Sequence, residues 1–115
     1  MKPDGRDQAY LWDMRDFARE VVSLTKDFSL AELLEDRLRQ LALERVMELL
    51  GEAARRVSAE TRLQHPGIDW RRLTGQRAVL AHDYGKVDHR RLYDSARVKV
   101  PLLIEELNRI LGGEP

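Results

Sequence analysis

Arg77-Ala78-Val79-Leu80-Ala81-His82-Asp83-Tyr84 sets a permanent cation, an imidazole and a phenol within eight residues. The planar guanidinium fork of Arg matches phosphate oxygens, and imidazole is the side chain whose ordinary titration lies near neutrality. Together they have what metal-free phosphodiester cleavage needs. The imidazole takes the proton of a 2′-hydroxyl or supplies one to the leaving oxygen, while the guanidinium steadies the charge on the phosphorane. Tyr84 adds a nucleophilic or modifiable hydroxyl. An Arg-x4-His pair is unremarkable in a chain with 16 Arg and three His; the Tyr two places further on makes the triplet far more specific.

The elements that must position these groups read as helices throughout. Tyr10, Met14, Phe17, Val21 and Leu24 recur at helical spacing and predict a first helix over 7–26. Ser29 and Glu32 form a capping box, with Phe28 and Leu33 as its hydrophobic staple, so a second helix starts near Leu30. It is expected to run unbroken to His65-Pro66-Gly67, where proline and glycine stop it. That helix carries two apolar stripes: Leu34, Leu38, Leu41, Leu49 and Ala53, and beside it Leu43, Met47, Leu50, Ala54 and Val57. Two stripes in so small a domain predict a deeply placed helix, or a face offered to a second copy of the chain; a homodimer is expected. Asp69 caps a third helix carrying Trp70, Leu73, Arg77 and Leu80, stopped at Gly85, with Gly75 a weak point inside it. Asp88 caps a fourth, with a stripe of Leu92, Ala96, Val100, Leu103, Leu107 and Ile110 that Pro101 should kink. No strand-like alternation or repeat interrupts this pattern. The expected fold is all-α, an up-and-down bundle of four to five helices forming one domain over 1–115.

Composition agrees. The chain has 115 residues, 43% hydrophobic and 35% charged, enough for one packed core. It has no cysteine, hence no disulfide, thiol nucleophile or Cys-ligated zinc. No apolar run approaches a membrane span and no signal-peptide core precedes the first helix, so a cytoplasmic location is expected. The net charge is zero, which argues against a general nucleic-acid coat protein, but it is unevenly spread. Residues 1–54 hold 8 basic and 12 acidic side chains, residues 55–99 hold 11 and 5, and residues 100–115 hold 1 and 3. The motif lies in the basic segment, where a local anionic ligand competes with the plainer reading of a solvated Arg-rich face.

Each candidate also has a structural reading. Arg77 can form a surface ion pair with Asp83 or Glu52, and Glu52 an ion pair with Arg77 or Arg55 that would position the motif Arg. His82 can serve as a helix C-terminal histidine and Tyr84 as a half-buried aromatic. His65 reads as a helix-end residue, His89 as a solvated one, and Trp70 as core. The pairs Arg55-Arg56, Arg71-Arg72 and Arg90-Arg91 are solvated faces, or flank a nucleic-acid path. Residues five apart on a helix are about 140° apart in azimuth, so Arg77 and His82 converge only if the helix unwinds or a second protomer supplies its own pair. No i, i+4 ligand pair surrounds His82, so no metal site and no cofactor is expected.

The order Leu49-Leu50-Gly51-Glu52-Ala53-Ala54, Pro66-Gly67-Ile68-Asp69-Trp70, Gly75-Gln76-Arg77, His82-Asp83-Tyr84 and Val87-Asp88 resembles the HepT-like ribonuclease toxins of the HEPN superfamily, components of HepT–MntA toxin–antitoxin systems. The similarity extends from about Tyr10 to Leu111. It implies a helical-bundle homodimer that cuts RNA without a metal, with Arg77 and His82 of both protomers lining one cleft. It also implies a minimal nucleotidyltransferase (MntA-like) antitoxin that transfers AMP from ATP to Tyr84. Glu52 and Asp83 are candidate supporting residues. Ala78 departs from the pattern, since the family usually has a polar residue, commonly Asn, directly after the motif Arg. The alternative is therefore a catalytically silent HEPN dimer, acting as a nucleotidyltransferase partner or as an RNA- or nucleotide-binding module.

Overall fold

The computed structural model describes residues 5–82, 85 and 87–112. Asp83 and Tyr84 lie outside the described residues. Among the described residues seven α-helices follow in order: α1 Gly5–Thr25, α2 Leu30–Glu35, α3 Arg37–Arg56, α4 Ala59–Gln64, α5 Trp70–His82, α6 His89–Asp94 and α7 Val100–Leu111. A π turn, Ser95–Lys99, joins α6 to α7 as one continuous helical run. No strand occurs among the described residues, and the all-α bundle is as expected. Its spine is α3, packed between α1 and α5, with α7 closing against α1.

The second expected helix is three helices. At Asp36 the backbone leaves helical space (φ −124°, ψ 103°), and its carboxylate accepts the N–H groups of Leu38 and Arg39 at 3.0 and 3.3 Å. The residue thus ends α2 and caps α3. A second break falls at Val57-Ser58. The Ser58 hydroxyl accepts the Thr61 N–H, and Asp7 of α1 accepts the Ser58 N–H (3.0 Å) and both hydroxyls, of Ser58 and Thr61 (2.5 Å each). Asp and Ser compete with helical hydrogen bonding through their own short side chains. Here a buried carboxylate 51 residues away fixes the outcome at Ser58.

Dividing the helix decides which stripe is core. Leu43, Met47, Leu50, Ala54 and Val57 are all buried, whereas of the other stripe only Ala53 is buried, Leu38 is 78% and Leu41 44% exposed, and Leu34 and Leu49 are half-buried. The capping box at Ser29 and Glu32 forms as expected, with Phe28 and Leu33 buried beneath it. Trp70 is in the core, and its indole N–H donates to the His65 carbonyl at 3.0 Å. His89 is not a solvated residue: its Nε2 lies 2.7 Å from Oε2 of the buried Glu44, tying the start of α6 to α3. Pro101 is accommodated by the π turn. Val100 N–H reaches back to the Ser95 carbonyl immediately before the residue that has no N–H to give.

Gly75 is exposed in the interior of α5, and a Cβ built there meets nothing within 4 Å. Its backbone is not in the left-handed region, so neither packing nor conformation calls for glycine. Gly75→Ala is expected to raise stability by about 0.5–1 kcal/mol through helix propensity and reduced unfolded-state entropy, read as an upward shift in the urea midpoint.

Candidate active site

Arg77 and His82 sit on α5, and the position of α5 is set by a glycine. At Gly51 of α3 a Cβ would fall well inside contact distance of Arg77 Cβ and 2.7 Å from the Leu73 carbonyl oxygen. Only a residue without a side chain allows the two helices to cross this closely. The crossing brings the next residue, Glu52, onto Arg77: Oε1 lies 2.9 Å from the Arg77 Nε, both side chains being about three-quarters buried. The Nε–H is misaligned with that oxygen, so the contact is an ion pair rather than a directed hydrogen bond. The Arg77 side chain keeps about a quarter of its surface exposed, so the guanidinium is held on one side by Glu52 and reaches solvent on the other.

Glu52 gathers two further cations. Arg55 reaches it with Nε and Nη2 at 3.1 and 2.9 Å, and Arg56 with Nε at 3.1 Å. Three guanidinium groups around one carboxylate leave the cluster net positive. The Arg55 hydrogen bonds above all, then that from Arg56 and the charges of Arg55 and Arg77, hold the Glu52 carboxyl down to about 2 from an ordinary 4.5, against the opposing effect of its partial burial. A carboxyl whose folded pKa is depressed adds stability above its unfolded pKa and loses it as pH falls through the folded value. The destabilisation caused by Glu52→Gln is therefore expected in full at neutral pH, shrinking between pH 4.5 and 2, as measured by urea midpoints of both proteins across that range.

His82 is the last residue of α5 and is exposed. Because α5 is regular from Trp70 to His82, Arg77 and His82 stay about 140° apart around its axis. Arg77 turns toward α3, and His82 stands on solvent. Ala78 and Val79, between them, are exposed as well. Of the residues singled out from sequence, Arg77 and Glu52 are brought into contact, and His82 stands apart from them at the C-terminal end of α5. Asp83 and Tyr84 lie outside the described residues. No group of three His, Asp or Glu side chains able to hold a metal ion occurs among the described residues.

Arg56 was not legible as part of the cluster, although its i, i+4 spacing from Glu52 is the signal that finds it. The Glu44–His89 pair carried no such signal, its members being 45 residues apart.

The profile of the ribonuclease HepT-like family matches residues 14–110. Two Methanocaldococcus jannaschii proteins bearing RNase names are similar along most of their length. One is 27% identical over 104 residues, covering 90% of each chain, and the other is 29% identical over 100 residues, covering 87% of this chain and 92% of its own. A Thermococcus cleftensis protein named probable ribonuclease HepT is 30% identical over 94 residues, covering 82% of this chain and 86% of its own. No solved structure matches the chain significantly. A match over this much of the bundle, α1 through α7 and the Gly51–Arg77 crossing included, places the chain in the HepT-like ribonuclease family.

Proposed function

We propose that this chain is the toxin of a toxin–antitoxin pair, a metal-independent endoribonuclease acting in the cytoplasm as a homodimer. The observation that carries the reading is the anchored Arg77: its Nε is held against Glu52 at 2.9 Å while a quarter of the side chain stays exposed. Held in this way, the guanidinium is preorganised for a phosphorane and needs little reorientation as charge develops. His82 is the general acid/base. It moves the proton as the 2′-oxygen attacks phosphorus and the 5′-oxygen leaves, giving a 2′,3′-cyclic phosphate and a 5′-hydroxyl. Since Arg77 and His82 diverge around α5, two protomers related by a two-fold axis would supply complementary pairs to one cleft.

Tyr84 is the regulatory hydroxyl. A nucleotidyltransferase antitoxin transfers AMP from ATP to it with release of pyrophosphate, setting a bulky anion beside the phosphate site that blocks RNA by sterics and charge. Asp83, next to it, is a supporting residue. One observation favours the silent-dimer alternative: Ala78, exposed directly after Arg77, offers no polar contact where the family usually has one. The two readings separate when the protein is co-expressed with an adjacent nucleotidyltransferase, its intact mass taken, and modified and unmodified forms incubated with RNA. The toxin reading expects AMP on Tyr84 and cleavage by the unmodified form only. An unmodified, folded dimer that leaves RNA intact overturns it in favour of the binding module.

A further inference from the structure

A groove of about 500 Å³ runs along the other flank of α5, between that helix and the run from α6 through the π turn. Arg72, Gly75 and Gln76 of α5 line one side; Arg91 of α6 and Lys99 of the π turn line the other. Val79, Leu80 and Leu92 give it an apolar floor. Arg72 is held in place by the Ser95 hydroxyl at 2.7 Å and by Asp69 at 3.6 Å. Arg91 and Lys99 have no acidic partner among the described residues. Of the two carboxylates on the groove, Asp88 turns to the start of α6, accepting the N–H groups of Arg90 and Arg91, and Asp94 is exposed. Gly75, which the fold does not require, keeps the α5 wall open. A helix-weakening residue without a packing reason, set on a cationic groove beginning one residue from Arg77, points to a ligand.

We infer that this groove seats the nucleotides flanking the scissile phosphate, with Arg91 and Lys99 contacting two backbone phosphates and Gly75 leaving room for the strand. The inference rests on the ribonuclease reading above and assigns the substrate path outside the Arg77–His82 pair. The Gln76 amide is the group on this wall able to donate to and accept from a base edge. Phosphate contacts of this kind supply affinity and register rather than sequence preference.

The test uses the full chain carrying His82→Ala, so that RNA is bound but not cut, and a fluorescent single-stranded RNA of mixed sequence. Adding Arg91→Gln and Lys99→Gln is expected to weaken binding about tenfold near physiological salt and to flatten the slope of log K against log [salt] by about 1.4, two single-strand phosphates' worth. The charge-matched Arg45→Gln/Arg97→Gln control, whose residues do not line the groove, is expected to leave the slope unchanged. Gly75→Leu should raise the melting temperature while weakening binding, because it strengthens α5 and fills the groove. Equal effects of the two double variants, or a groove variant that alters oligomeric state but not the salt slope, overturn the inference. If the His82-containing protein cuts RNA under those outcomes, the ribonuclease reading stands and only the groove falls. Conversely, loss of binding in the groove variants together with an intact protein that never cuts RNA removes the ribonuclease reading and with it the scissile phosphate, leaving the groove as an RNA-binding surface only.

Discussion

Replacing His82 by alanine is expected to lower RNA cleavage by about a thousandfold, equivalent to roughly 4 kcal/mol of transition-state stabilisation. The fold should hardly respond. His82 is exposed at the final turn of α5, and surface replacements of that kind change stability by about 0.5 kcal/mol or less. A melting temperature close to that of the parent, beside a nearly dead enzyme, is the signature of chemistry rather than packing. Arg77→Lys sharpens the test. Lysine keeps the charge but loses the planar fork, so cleavage should fall by about 10²-fold while single-stranded RNA still binds. A folded His82→Ala protein that cuts RNA at the parental rate would remove the mechanism, and a parental rate in Arg77→Lys would reduce the anchored guanidinium to a point charge.

Gly51→Ala is expected to destabilise the protein by about 1–3 kcal/mol, although alanine is the better helix former by about 1 kcal/mol. The added methyl meets the Cβ of Arg77 and the backbone oxygen of Leu73, neither of which can swing aside. α5 must therefore translate away from α3, which separates Glu52 from Arg77. Displacing a catalytic group by about 1 Å costs on the order of 10²-fold, so cleavage per folded molecule should fall as well. Gly75, two residues before Arg77 and so on the opposite wall of α5, makes the contrast: the same glycine-to-alanine change there is expected to stabilise. Urea midpoints of the two variants should move in opposite directions. If Gly51→Ala is as stable as the parent, the close crossing does not govern the position of Arg77.

Local chemistry made much of the bundle legible. The capping box at Ser29 and Glu32, the caps at Asp69 and Asp88, and the stripe from Leu92 to Leu107 all depend on residues within a few positions of one another. Their energetics are contained in the segment that shows them. Arg77 and His82 and their place on α5 were readable for the same reason, as was the Glu52–Arg55 pair three residues apart.

The divisions of the expected second helix were not readable. A helical pattern at Ser58 is overruled by Asp7 on a different helix, and propensity differences of a few tenths of a kcal/mol per residue do not resist three hydrogen bonds to a buried carboxylate. Nor did two equivalent stripes reveal which would be buried, since both satisfy helical periodicity and only the placement of α1 and α5 distinguishes Leu43 and Leu50 from Leu38 and Leu41. Sequence by itself determined the all-α class, the caps at Ser29, Asp69 and Asp88 and the placement of Arg77 and His82 on one helix, because those follow from neighbours along the chain. Tertiary structure alone decided the closeness of the Gly51 crossing, the charge cluster that fixes Arg77, the pairing of His89 with Glu44 and the open cationic groove beside Gly75, because each depends on groups distant in sequence and brought together by packing.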